Sequence, residues 1–163
     1  MAPRFESLIN RHHDEIFSYL WRLLGPERRS DVTLEVEDLA QEVFLRAYEA
    51  FRSLRPDSNY RAWLYRIATN CAFTKLRRVK NRRERIALLK ASPETEDGSA
   101  KTDHGRLRAA VNRLSPKQKA CVTLRFFDDR DYAEIAAIVG CSEMSARANV
   151  SQGVRRLRDA IKE

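Results

Sequence analysis

Apolar residues recur along most of this chain at spacings of three and four, the signature of helices with one buried face. The period-two alternation of strands is nearly absent. Phe5, Leu8, Ile9, Ile16, Phe17, Leu20 and Leu24 predict a first helix from about Arg4 to Leu24, which Gly25-Pro26 ends. Residues 26–34 are polar and read as a loop. Val36, Leu39, Val43, Ala47 and Phe51 mark a second helix from about Glu35 to Phe51. Its first turn would then hold Glu35, Glu37 and Asp38, where the helix dipole favours acids. Ser53 to Asn59 carries turn chemistry. A long helix follows, from near Asn59 past Asn81, with Tyr60, Trp63, Leu64, Ile67, Ala68, Cys71, Ala72 and Leu76 on its stripe.

Residues 91–105 hold no apolar side chain larger than Ala, so ordering them in a core would gain little against lost chain entropy. They read as a flexible, acidic linker. Beyond them, Arg106 to Leu114 predicts a short helix. Ser115 before Pro116 is an N-cap followed by proline at the first helical position. Asp131 and Glu134 fit a capping box, Gly140 a left-handed stop, and Ser142 a cap for a last helix reaching Ile161. The expected fold is all-α, with two small helical domains, 1–90 and 106–163, joined by the linker.

Composition narrows the function. Lys and Arg total 31 against 23 Asp and Glu, a net charge of +8. Seven of the eleven residues from Lys75 to Arg85 are basic and one is acidic, and Arg155, Arg156 and Arg158 form a second cluster. Two basic patches suggest two contacts with a polyanion. No apolar run approaches the roughly 20 residues that cross a bilayer, and the N-terminus lacks the pattern of a secretory signal, so a cytoplasmic location is expected. Cys71, Cys121 and Cys141 are odd in number and unpaired in spacing, which points to buried thiols, neither disulfides nor a zinc site. His12, His13, Asp14 and Glu15 raise a metal-dependent enzyme as an alternative. His12 and Glu15 are helical neighbours, but no second ligand cluster exists, so exposed helix polarity is the expected role. No cofactor, metal or small-molecule substrate is expected.

The segment from Asp131 to Ala160 has the layout of a helix-turn-helix. Ala136 is small where two helices must approach, and Cys141 is a compact plug behind Gly140. On the last helix Ala146, Val150, Val154, Leu157 and Ile161 share one face. Ser145, Ala148, Ser151, Gln152 and Arg155 share the other, flanked by Arg147, Asn149 and Arg156. That polar, cationic face can donate to base edges and phosphates in a major groove. A plain amphipathic helix pair in a bundle is the alternative.

Two blocks carry a family resemblance. EDLAQEVFLRAYEAF (Glu37–Phe51) followed by YRAWLYRIATNCAFTKLRR (Tyr60–Arg78) resembles region 2 of extracytoplasmic-function (ECF) sigma factors of the sigma-70 family, and LSPKQKACVTLRFFDDRDYAEIAAIVGCSE (Leu114–Glu143) resembles the start of their region 4. The resemblance implies a promoter-specificity subunit of RNA polymerase without catalysis of its own. Asp38, Gln41, Glu42 and Phe44 would dock on the clamp helices of the largest polymerase subunit; Asp38, Gln41 and Glu42 share one polar patch. Tyr60, Arg61, Trp63, Tyr65, Arg66 and Asn70 would hold melted −10 DNA by stacking and charge, although Trp63 also belongs to the apolar stripe. Asp57 and Asn59 would read a flipped base. Arg77, Arg78, Lys80, Arg82 and Arg83 would meet phosphates, a contribution without sequence information. Ser142, Ser145, Arg147, Asn149, Ser151, Gln152, Arg155 and Arg156 would bind the −35 element. The resemblance also implies a linker threaded along the polymerase's RNA exit path, and an anti-sigma partner.

The recognition helix departs from the family's usual pattern: Asn149 and Gln152 stand where arginines are common, and Thr74 where Asp is. A glutamine can pair bidentately with adenine where arginine prefers guanine, so a shifted −35 preference is expected. A stand-alone helix-turn-helix regulator would account for the second half of the chain but leaves the Asp38–Phe44 and Trp63–Asn70 blocks without a role.

Overall fold

The structure is a computed structural model that describes residues 3–25, 31–89 and 102–162. Seven helices and no strand make up the described residues: α1 (Phe5–Leu24), α2 (Asp31–Phe51), α3 (Tyr60–Leu89), α4 (Asp103–Arg113), α5 (Pro116–Phe126), α6 (Tyr132–Val139) and α7 (Glu143–Lys162). Local signals explain most of the boundaries. Asn59 Oδ1 accepts from Ala62 N at 3.1 Å and caps α3. Ser115 with Gln118, and Asp131 with Glu134, both close as reciprocal capping boxes. Gly140 takes the left-handed conformation (φ 79°, ψ 46°) that ends α6 and turns the chain into α7, and Ser142 Oγ accepts from Ser145 N at 3.0 Å.

Two boundaries differ from the expectation. α2 begins at Asp31, so residues 31–34 are helical and not loop, and Glu35, Glu37 and Asp38 lie beyond the first turn. α4 begins at Asp103 because Thr102 Oγ1 caps Gly105 N, so residues 103–105 belong to the helix and not to the linker. Residues 91–101 of the expected linker lie outside the described residues.

α1, α2 and α3 pack as a three-helix bundle, and α4 to α7 form a second unit in which α7 lies across α4, α5 and α6. Gly153 on α7 permits a close approach: a Cβ there would sit 2.6 Å from Val122 Cγ2 of α5. Tyr132 is held between two guanidiniums, Arg125 at 4.6 Å and Arg147 at 4.4 Å, which ties α5, α6 and α7 together. The two units do not stand apart. α3 packs on α6 and α1 on α5, and one cluster of buried residues runs from Leu20, Leu64 and Ala68 to Leu124, Ile135 and Val150.

Candidate nucleic-acid interface

Three surfaces collect the candidate residues. On α2, Val36, Leu39, Val43 and Ala47 face the core, which turns Asp38, Gln41 and Glu42 outward. Glu42 pairs with Arg46 at 2.8 Å. Phe44 is half-buried and stacks on His13, ring centroids 5.5 Å apart, beside an open cleft of about 580 Å³ between α1 and α2 that Phe17 and Gln41 also line. The same outer face carries Leu34, Leu45 and Tyr48, 62%, 65% and 59% exposed. The order 34, 38, 41, 45, 48 alternates steps of four and three, the spacing of a coiled-coil seam. The apolar stripe read from the sequence marks only the core side of α2 and carries no signal for these three exposed residues.

On α3, Arg66, Asn70, Arg77, Arg78 and Lys80 are exposed, and so are Arg82 and Arg83 farther along the helix. Trp63 is half-buried against the core. Tyr60 is likewise part-buried, its hydroxyl donating to the carbonyls of Arg55 and Pro56 at 3.3 Å. Asp57 and Asn59 are both exposed, but the Asn59 carboxamide oxygen is engaged as the helix cap, which leaves its NH2 as the group able to meet a base.

Tyr65 does not sit where a DNA-stacking residue would. It has no exposed surface, because α6 and the α5–α6 loop cover it, a placement that depends on contacts distant in sequence. Its ring packs on Tyr19 at 5.0 Å. Beneath it, Thr69 Oγ1 donates to the Tyr65 carbonyl at 2.7 Å, so Tyr19 Oη must donate to Thr69 Oγ1 at 2.8 Å. Burial pushes the phenol groups of Tyr19 and Tyr65 well above their ordinary range.

The Tyr65 hydroxyl ends in a polar seam between the two units. It donates toward Asp128 Oδ1 at 3.3 Å and Glu15 Oε2 at 3.4 Å. Glu15 is the hub: His12 Nδ1 is hydrogen-bonded to its Oε1, and Arg61 donates to its Oε2 from Nε at 3.0 Å and Nη2 at 2.5 Å. Arg130, its side chain 11% exposed, stands 3.9 Å from both Glu15 and Glu134. Burial raises the Glu15 carboxyl, but the bonds from His12 and Arg61 outweigh it and hold the group below its ordinary value. For Asp128 burial wins over Arg22, Tyr65 and Arg130, and the carboxyl is pushed up. Asp128 Oδ2 and Arg130 Nε are buried without a hydrogen-bond partner among the described residues. His12 is therefore not exposed helix polarity as expected: it is mostly buried and engaged.

On α7, Ala146, Val150 and Gly153 are buried, Val154 and Leu157 half-buried, while Ile161 is 56% exposed and departs from the expected stripe. Arg147, Ala148, Ser151, Gln152, Arg155 and Arg156 are exposed together. Ser145 and Asn149 are half-buried, and Asn149 Nδ2 donates back to the Ser145 carbonyl at 2.9 Å, which turns the carboxamide along the helix. Behind this face α4, α5 and α7 leave an apolar groove of about 590 Å³, lined by Leu107, Val122, Phe126, Phe127 and Ile161 among others. Cys71 and Cys121 are buried, with the Cys121 thiol pushed up to about 12 by burial, whereas Cys141 is only half-buried.

No helix among the described residues is long and apolar enough to cross a membrane. The family model for sigma-70 region 2 matches residues 8–83, and that for sigma-70 region 4 matches residues 104–157. The chain is 34% identical, over 78% of its length, to the ECF RNA polymerase sigma-E factor of Escherichia coli, of which the match covers 72%. It is 29% identical, over 98% of its length, to the ECF RNA polymerase sigma factor SigE of Mycolicibacterium smegmatis, of which it spans 62%. Among solved structures it is similar in fold to the sigma factor RpoE in complex with the anti-sigma factor NepR from Bartonella quintana, with a TM-score of 0.72 and 23% identity across 97% of this chain and 96% of that one. By these matches the chain belongs to the ECF RNA polymerase sigma factor family.

Proposed function

We propose that this protein directs core RNA polymerase to a set of promoters from within the cytoplasm, with no reaction of its own. One module, about residues 1–90, docks on the polymerase clamp helices through α2 and holds melted −10 DNA along α3. The other, about residues 106–163, places α7 in the major groove of the −35 element. The observation that carries this reading is the outer face of α2. Leu34, Leu45 and Tyr48 lie exposed there at coiled-coil spacing, with Asp38 and Gln41 between them. A helical partner buries such a seam. An anti-sigma protein is a further expected partner, supported by the similar RpoE having been solved with one.

The closed seam has a consequence for this function. Elements named −10 and −35 lie about 25 base pairs apart, roughly 85 Å at about 3.4 Å per base pair. A compact chain of 163 residues has a radius of gyration of only about 15 Å. The α3–α6 contact must therefore part before both elements are gripped, and binding to the polymerase supplies the differential free energy. Run-off transcription with a bacterial core polymerase on genomic fragments tests the proposal. Discrete transcripts that require the chain are expected; identical transcripts with and without it would refute it.

A further inference from the structure

The hydrogen-bond polarity of one buried glutamine fixes what the recognition helix can offer to DNA. Gln118 lies in the first turn of α5, 6% exposed, and it faces α7 where Gly153 lets the two helices approach closely. Its Oε1 receives two donors, Arg156 Nη1 at 3.1 Å and Ser115 N at 3.4 Å. Neither donor can accept a hydrogen bond, so the oxygen of Gln118 is assigned by its partners. Its Nε2 is thereby turned to Gln152, 3.2 Å away, and the atom it meets there must be the acceptor, Oε1. The Gln152 carboxamide is consequently oriented with its oxygen toward Gln118, which leaves its NH2 without an intramolecular acceptor at an exposed position.

We infer that Gln118 is a positioning residue for promoter specificity: it orients Gln152 to read the −35 element through its N–H groups. This rests on the reading of α7 as the −35 helix. An unrestrained glutamine offers one donor and one acceptor and suits adenine, with its N7 acceptor and N6 amine. With Oε1 turned toward Gln118, it is the N–H groups of Gln152 that are free to face DNA. Guanine presents two acceptors in the major groove, N7 and O6, thymine one, and cytosine an amine that cannot accept. The base pair under Gln152 is thus read as guanine first and cytosine last. The adenine preference expected from the residue type alone is lost.

Gln118→Glu tests this without dismantling the fold. A glutamate still accepts from Ser115 N, as in the common form of the capping box, and still pairs with Arg156. It can only accept from Gln152, however, so the carboxamide must turn over and present its oxygen. Site selection on a duplex library randomised through the −35 element, with the full chain and core polymerase, reads the outcome. The wild-type chain should enrich guanine at one position, where Gln152→Ala loses the preference. Q118E should disfavour guanine there and enrich adenine or cytosine, a change of about tenfold in the ratio, the size of one good base contact. Gln118→Met, which neither donates nor accepts, should bring Gln152 to prefer adenine. An unchanged base ratio at that position in both Q118E and Q118M, with selection intact elsewhere, would overturn the role of Gln118 alone. Selection of no −35 sequence by the wild-type chain would overturn it together with the reading of α7.

Discussion

α3 and α7 are both long, both basic, and both candidates for DNA, yet their surroundings differ. The face of α7 is turned to solvent, and its polar groups are steadied from behind by Gln118 of the same unit. The start of α3 is engaged by the fold itself. Arg61 is paired with Glu15 of α1, Asn59 caps its own helix, and Tyr65 is covered by α6 and the loop before it. A helix that reads duplex DNA can be finished before it meets its target. A helix that would hold melted strands presents cations and aromatic rings, and in the free protein Arg61 is engaged by α1, Asn59 by α3 itself and Tyr65 by the other unit.

The sharpest way to break this contrast is Arg130→Glu. It sets a fourth carboxylate beside Glu15, Asp128 and Glu134 at a nearly buried site. Losing one partner of such a pair costs about 3 kcal/mol. The closed form should give way, read as a rise in radius of gyration above about 15 Å by small-angle scattering with helicity retained. An unchanged scattering profile would show that the seam does not hold the units together.

A smaller effect separates charge from readout. Replacing Arg77, Arg78 and Lys80 with Ala should weaken promoter binding without altering sequence preference. The slope of log affinity against log salt should fall by about 2–3, at roughly 0.7–0.9 per lost phosphate contact. Loss of sequence preference instead would move base reading into this stretch of α3.

The smallest effect concerns protons. Asp128 has a folded-state value above the ordinary carboxylate range, so the folded protein binds that proton more tightly than the unfolded chain does. Its favourable contribution is present below the unfolded value near 3.8 and is lost as pH rises through the folded value. Glu15 has the opposite sign: its contribution is present above its ordinary value of 4.5 and lost as pH falls through the lowered folded one. At neutral pH Asp128 is therefore a cost. Asp128→Asn should raise Tm at pH 7. A lower Tm at pH 7 would mean that the charge is needed there.

Much of this architecture was legible because the signals that specify it are local. Ser115-Pro116, Asp131 with Glu134, and Gly140 each act within four residues, and each cap forms as its residues dictate. The alternation of Val36, Leu39, Val43 and Ala47 likewise located the core side of α2. What was not legible depends on partners far along the chain. Nothing near Glu15 announces that Arg61 and Arg130 converge on it. Tyr65 reads as a candidate for stacking on bases until α6 is seen to cover it. Gln118 looks like a capping residue, and its second task appears only once Gly153 brings α7 against α5. Thr102 was not legible as a cap for a related reason: residues 91–105 carry no apolar side chain larger than Ala to mark a helix, yet Gly105 is buried inside α4.

The most direct test of the whole account is titration of the labelled full-length chain with bacterial core RNA polymerase, followed by fluorescence anisotropy. A saturable complex is expected, and Leu45→Glu, in the centre of the exposed α2 seam, should weaken it more than tenfold, the scale of an interface hot spot. Absence of any complex between the wild-type chain and core polymerase would contradict the account.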